Sequence, residues 1–341
     1  MTNTGERRAQ QEDRLWATDV PSLSFVVPVR NDALGLQRCL ASMRDSLRGL
    51  HAEIIVADNG STDRSADVAR EAGARVLSLP GHRVGEVRNL AAASAQAELL
   101  AFVDADHELA PGWASAALHA MQDASTTAAG AQYHAPANGT WVQQMYDSLR
   151  ARTPDSRQVD WLGSGNLVVR RAAFESVGGF DTGLESCEDV DLCQRLRGRG
   201  GRIVAVDSMV SVHHGDPRTL KALFLGELWR GRDNLKVTLR APLTLRSVPS
   251  LAIPVLVLLA LLVVAFAGMG LLGGGPPMVV AGLGTLIVLA IPHTVLLISR
   301  TPPVGRSSVH AARALLFSAT YNLARSLALV FRAAHGTRRS G

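Results

Sequence analysis

Three polar clusters stand where short apolar runs stop: Pro28-Val29-Arg30-Asn31-Asp32, Asp58-Asn59-Gly60-Ser61-Thr62-Asp63 and Asp104-Ala105-Asp106. The third carries the plainest chemistry. Alternate side chains of an extended segment point the same way, so Asp104 and Asp106 present two carboxylates to one side. Hard oxygen donors suit Mg²⁺ or Mn²⁺ rather than zinc, and magnesium takes much of its coordination from water and substrate phosphates. The pair therefore points to a cation bridging a diphosphate, although a lone Asp-x-Asp also occurs in a solvated turn. Further on, Gly163-Ser164-Gly165-Asn166 leads into an apolar run, and Gly178-Gly179-Phe180-Asp181 precedes Glu188-Asp189-Val190-Asp191-Leu192. If residues 189–199 form a helix, Glu188 and Asp189 lie at its N-terminus, where the dipole favours negative charge. They read either as ordinary capping or as a general base over a crevice.

The elements that must place these residues precede residue 210. Strands are predicted over 23–29, 53–57, 75–79 and 98–103, and helices over 33–50, 63–72, 85–96 and 111–123. Near-continuous apolar strands such as Phe25-Val26-Val27 and Ile54-Ile55-Val56 fit a parallel sheet covered on both faces. In such sheets ligands bind beyond the carboxyl ends of the strands, where each cluster falls. Ser61 or Thr62 also fits as a cap for the helix near Asp63. Three polar strand ends in one sheet nevertheless converge on a single crevice.

Composition narrows the class. Of 341 residues 47% are hydrophobic and 19% charged, which excludes a disordered, collagen-like or coiled-coil chain. The net charge of +5 is unevenly spread: residues 241–341 hold eight Arg and no acidic side chain, whereas the first 240 hold 27 basic and 30 acidic ones. That excess surrounds apolar runs and lacks clustered Lys/Arg with interleaved aromatics, so nucleic acid is not expected as a partner. Residues 248–272 carry no charge, and 278–299 none apart from a proton on His293. Each run suffices for a bilayer crossing, which takes about 20 apolar residues. Lys236, Arg240, Arg246, Arg300, Arg306 and Arg313 flank the outer ends of the pair and the link 273–277 has no cation, which puts both flanks in the cytoplasm. In 310–332, Leu316, Ala319, Leu323, Leu327 and Val330 recur at helical spacing among Arg313, Asn322, Arg325 and Arg332, the pattern of an interfacial amphipathic helix. A third crossing would instead bury Arg325 at a cost of about 3 kcal/mol or more. Residues 1–20 are polar without an apolar signal-peptide core, so the first domain is expected on the cytoplasmic side. Cys39, Cys187 and Cys193 are odd in number and lack metal-ligand spacing, which fits packing residues in a reducing compartment.

Together these segments resemble the family 2 glycosyltransferases, inverting enzymes of the GT-A fold, over about residues 22–215. The bearers are residues 25–32, 56–63, Phe102-Val103-Asp104-Ala105-Asp106, Gly178-Gly179-Phe180-Asp181 and 188–195, common singly and specific in this order. The resemblance implies a nucleotide-sugar donor, with Asp58 contacting the base, Pro28 and Arg30 lining the nucleoside pocket, and Gly165 and Asn166 among the substrate-binding positions. Arg88 matches a position near the nucleotide, and reads equally as half of a surface pair with Asn89. Asp104 and Asp106 would form the Asp-x-Asp site, with Asp106 the direct ligand of Mg²⁺ or Mn²⁺. Asp189 would deprotonate the acceptor hydroxyl while Glu188 orients the site. Relatives complete the metal shell with a histidine past the last strand, the place of His213 and His214 after the run 209–212; either serves there, or both are structural. Processive relatives carry Gln-x-x-Arg-Trp, and Glu227-Leu228-Trp229-Arg230 departs from it, against polymer synthesis.

The expected architecture is an α/β GT-A-type mostly parallel sheet with helices on both faces, then a transmembrane hairpin and an amphipathic helix. Its parts are a polar tail 1–20, a catalytic domain 21–215, a basic connecting helix 216–247, transmembrane helices 248–299 and a basic amphipathic segment 300–341. The expected reaction moves a single sugar to a hydroxyl or phosphate acceptor, lipid-linked or membrane-associated, at the cytoplasmic face of the cell membrane. Membrane lipids are expected partners: residues 218–240 favour anionic headgroups or a polyprenyl phosphate, or simply follow positive-inside topology. Two other readings exist. A sugar nucleotidyltransferase would want a Gly-rich phosphate loop where Val29-Arg30-Asn31-Asp32 stands. A non-catalytic membrane scaffold with a nucleotide-binding domain would not need the full set of carboxylates. Specificity is expected in loops 135–140 and 153–158.

Overall fold

The computed structural model describes residues 20–151, 158–240, 242, 248–269, 275–300 and 307–331. The strands are β1 (Leu23–Val29), β2 (Ala52–Asp58), β3 (Arg75–Ser78), β4 (Leu99–Val103), β5 (His107–Leu109), β6 (Thr126–Gly130), β7 (Asn166–Arg170), β8 (Arg202–Ala205) and β9 (Ser211–His213). The helices are α1 (Ala33–Leu47), α2 (Ser65–Glu71), α3 (Val84–Ala93), α4 (Trp113–Met121), α5 (Trp141–Arg150), α6 (Arg171–Ser176), α7 (Glu188–Gly198), α8 (Leu220–Arg230), α9 (Asn234–Thr238), α10 (Val248–Gly268), α11 (Gly275–Arg300) and α12 (Ser308–Leu327). They fall into two units, one holding 20–134, 158–184 and 188–215, the other 135–151, 185–187 and 216–331.

In the first unit seven strands form a sheet in the order β3-β2-β1-β4-β7-β6-β8. Only β7 runs antiparallel to its neighbours, β4 and β6. The pleat sends alternate residues to opposite faces. Phe25 and Val27 accordingly bury against Leu36, Met43 and Trp113 on one side, while Val26 joins Ile55, Phe102, Phe180 and Leu192 on the other. The first four strands and four helices follow the predicted order, with helix ends that differ from the predicted ones by up to three residues. β5 and β9 form a separate antiparallel ribbon that sets His107 opposite His213.

Asn166, expected among the substrate-binding positions, has another task. Its side chain is fully buried; Oδ1 accepts from Trp113 Nε1 at 2.6 Å, and Nδ2 donates to the carbonyls of Met209 (2.9 Å) and Ala131 (3.2 Å). An amide with both a donor and an acceptor end is what three such partners demand inside a core, so Asn166 ties β7 to α4 and to the chain entering β9.

The second unit is helical. Residues 135–151, within the span expected for the catalytic domain, pack here because α5 presents Val142, Met145 and Tyr146 to Leu223, Leu297 and Phe317. The connecting segment is two helices, α8 and α9, with Asp233 at the break accepting from the N–H groups of Glu185 (2.7 Å) and Ser186 (3.2 Å). Glu227 is fully buried and accepts from Tyr146 Oη (2.5 Å), Arg325 (2.9 Å) and Arg230 (3.3 Å). Arg325 therefore turns inward. α12 keeps the amphipathic pattern, but Ser318, Asn322 and Arg325 face protein while Val309 and Leu316 are exposed. α10 and α11 are long and apolar enough to cross a membrane. The tail 1–19, the loop 153–157, Arg246, Arg306 and Arg332 lie outside the described residues.

Replacing Asn166 by Leu would leave three buried polar groups without partners, each costing about 1–3 kcal/mol. Urea unfolding of Asn166→Leu should show a stability loss of roughly 2–4 kcal/mol; an unchanged midpoint would remove Asn166 from this role.

Candidate active site

The ends of β1 and β2 brace each other. Asp58, buried at the end of β2, accepts from the Ser61 N–H at 3.0 Å. Asn31 donates its N–H to Ser61 Oγ (3.0 Å) and accepts from the Thr62 N–H at 2.7 Å, and Asp63 accepts from the Ala33 N–H at 3.0 Å. Ser61, Thr62 and Asp63 thus serve the turn, leaving Asp58 as the carboxylate of this end. Pro28 is half-buried in β1 beside Ala57, and Arg30 is exposed at the rim. With β1 between β2 and β4, the carboxyl ends bearing Asp58 and Asp104 stand about 10 Å apart.

Beyond β4 the two aspartates part company. Asp104 Oδ1 accepts from Arg88 Nη2 at 2.6 Å, whereas Asp106 Oδ2 lies 3.3 Å from His213 Nε2. Among the described residues, Asp106, His107 and His213 gather with one potential ligand atom each, all within 4.8 Å of one another. The register explains the histidines: opposite residues of an antiparallel ribbon share a face, and successive residues alternate. His213 consequently meets His107, and His214 points away to Glu108 at 2.8 Å. His214 is therefore placed apart from the cluster, and Asp104 is engaged by Arg88. His107 was not anticipated; its signal was the position directly after Asp106, at the start of a three-residue strand too short to recognise by periodicity.

The surroundings hold these rings in place. His107 is buried with Nδ1 3.2 Å from Ser211 Oγ, and the Tyr133 ring meets both imidazoles edge-on at 4.9 Å. A Cβ on Gly165 would lie 2.7 Å from His107 Nε2 and 2.9 Å from Asp104 Oδ2, so only glycine leaves that space open. One carboxylate oxygen and two imidazole nitrogens fit a divalent cation, Mn²⁺ better than the oxygen-seeking Mg²⁺. A second group orienting a ligand histidine, as Ser211 does, is the usual arrangement.

The other end of the site is built on α7. Glu188 Oε1 accepts from Arg88 Nη1 at 2.8 Å, so Arg88 is enclosed between Asp104 and Glu188. Asp189 accepts from the Val190 N–H at 2.8 Å, and its Oδ2 lies, like Tyr133 Oη, 3.7 Å from where a Cβ on Gly163 would stand. Burial first, and the charge of Glu188 second, push the Asp189 carboxyl up to about 7, against the pull of the Val190 N–H and Arg88. A carboxyl titrating near neutrality has the protonation behaviour a general base needs. Asp106, Asp189, Glu188, Arg88, Asp104, His213 and Gly165 thus belong to one neighbourhood.

The sequence profile of glycosyl transferase family 2 matches residues 24–175. A pre-mycofactocin glycosyltransferase of Mycobacterium tuberculosis is 31% identical over 195 residues, covering 53% of this chain and 40% of the relative. An N-acetylglucosaminyl-diphospho-decaprenol L-rhamnosyltransferase of the same species is 40% identical over 110 residues, covering 28% of this chain and 36% of the relative. A mannosyltransferase from Pyrobaculum calidifontis, solved in complex with GDP-Man and Mn²⁺, shares the fold with a TM-score of 0.57 at 17% identity, covering 92% of each chain. Residues 24–175 are thus similar to the family 2 glycosyltransferases, and the sheet is of GT-A type. It spans about two fifths of the length of the mycofactocin relative.

Removing a donor distinguishes the two histidines of β5 and β9 from their neighbour. His107→Ala should weaken Mn²⁺ binding at least about tenfold, followed by electron paramagnetic resonance of free Mn²⁺, while His214→Ala leaves it unchanged; the reverse order would place the cation elsewhere.

Proposed function

We propose that the protein is an inverting glycosyltransferase that moves one sugar from a nucleotide-diphosphate sugar to a hydroxyl or phosphate acceptor, lipid-linked or membrane-associated, at the cytoplasmic face of the membrane. The observation that carries this reading is the proximity of a carboxyl pushed up to about 7, Asp189, to the cluster Asp106, His107 and His213: the Tyr133 ring lies 4.9 Å from both imidazoles, and Tyr133 Oη and Asp189 Oδ2 border the same space at Gly163. A divalent cation held by that cluster would stabilise the charge developing on the departing nucleoside diphosphate. Asp189 takes the proton of an acceptor hydroxyl as the hydroxyl attacks in line with the leaving group, so one base and one step invert the anomeric carbon. A phosphate acceptor, already ionised, needs the same alignment and less of the base. Asp58, at the end of β2, is left to receive the nucleotide base.

The membrane part of the reading rests on α10 and α11 and on the sorting of charge in 216–240. Asp216, Glu227 and Asp233 are buried and partnered inside the helical unit, whereas Arg218, Lys221, Lys236 and Arg240 are exposed beside Leu225, Leu235 and Leu239. A surface of cations and leucines without carboxylates suits anionic headgroups. The rhamnosyltransferase relative, named for a decaprenol-linked acceptor, supports a lipid-linked one here.

Purified protein screened against a panel of UDP- and GDP-sugars, with and without Mn²⁺, should release nucleoside diphosphate with one donor; silence with every donor would favour a scaffold. Asp189→Asn should lower turnover by about 10²–10⁴-fold with donor affinity retained, and wild-type turnover should fall as pH drops below about 7, where Asp189 takes up its proton. Normal turnover in that variant would reject Asp189 as the base.

A further inference from the structure

The base does not stand alone, and the group that faces it from α3 is a buried arginine. Arg88 has a side chain 4% exposed, and its two arms reach residues 16 and 100 positions away, Asp104 at 2.6 Å and Glu188 at 2.8 Å. The Phe180 ring lies 5.5 Å from the guanidinium. Asn89, the next residue, fixes that phenylalanine by accepting from the Phe180 N–H and donating to its carbonyl, both at 2.8 Å. One turn before, Gly85 lets α3 approach closely, since a Cβ there would stand 3.3 Å from Phe180 Cβ and 3.9 Å from Glu188 Cγ. Burial opposes the charge of Arg88, yet Asp104 and Glu188 more than offset it and raise its guanidinium further.

On the transferase reading above, we propose that Arg88 is the positioning residue of the site: one arm holds Asp104, the other holds Glu188, and the carboxylate beside the base is thereby fixed and its charge balanced. Only a planar guanidinium spans two carboxylates with parallel donors; an ammonium concentrates its charge at one point. The groups facing Asp189 are Glu188, Arg88, the Val190 N–H and Tyr133. Glu188 opposes ionisation of Asp189 and Arg88 favours it, so their removal acts in opposite directions. Packing alone gives no such opposition.

The test is the titration of the Asp189 carboxyl in the full-length protein without substrate, read as the infrared carboxylic-acid band that Asp189→Asn removes. Arg88→Gln should move the midpoint upward by about one pH unit or more, and Glu188→Gln downward by about the same, with Arg88→Lys between wild type and Arg88→Gln. Midpoints that stay put, or that move in the same direction, overturn the proposal. If Arg88→Gln does not fold, Glu188→Gln and Arg88→Lys decide: a downward and a smaller upward shift support it, and no shift in either overturns it. The titration uses no donor, so opposed shifts in a protein that releases no nucleoside diphosphate would retain the role of Arg88 and reject the transferase reading.

Discussion

Negative charge brought together away from water is the constraint on which the rest of this structure depends. Asp104, Glu188 and Asp189 come from two distant stretches of chain and repel one another wherever solvent is thin. The fold answers with one buried cation between two of them and leaves the third, Asp189, uncompensated enough to hold a proton near neutrality. A carboxylate that is fully paired is inert, and one that is fully solvated is a weak base; Asp189 lies between these limits. Glycines at 163 and 165 serve the same end, keeping side-chain volume out of the space that Asp189, Tyr133, His107 and Asp104 border.

The helical unit solves the same problem with the opposite aim. Glu227 is given three donors, Tyr146, Arg230 and Arg325, and Asp216 is held by Arg150, so the acids of this region are satisfied inside. On α8 and α9 the exposed side chains include Lys221, Leu225, Leu235 and Lys236, and α10 and α11 are long enough to span a bilayer. Pairing Arg325 inward leaves Arg313 as the exposed arginine of α12 between Val309 and Leu316.

Where apolar periodicity ran for five residues or more, the sequence was legible: β1, β2, β4 and the four helices α1 to α4 occur in the expected order, and α10 and α11 where the uncharged runs lie. The acidic motifs were legible by type, and the parallel sheet sets Asp58 and Asp104 at the same ends of strands that flank β1. What escaped was set by tertiary partners. Arg88 read equally as a position near the nucleotide or as half of a surface pair, and its span between two carboxylates escaped because Glu188 is 100 residues away. Asn166 stood in a glycine-rich stretch that suggested ligand contact, while its partners Trp113, Ala131 and Met209 lie in other elements. His107 and the choice of His213 over His214 depend on the register of two three-residue strands. α5 was missed although Thr140 and Gln143 form a capping box at its start, a pattern visible in sequence.

The most direct measurement is the anomalous diffraction of Mn²⁺ in crystals of the full-length protein grown with a nucleoside diphosphate. The account predicts one peak bounded by Asp106, His107 and His213, with the diphosphate on the cation and the Asp189 carboxylate facing the open side where a sugar would sit. A peak held by other residues, or a diphosphate bound away from Asp189, would contradict it.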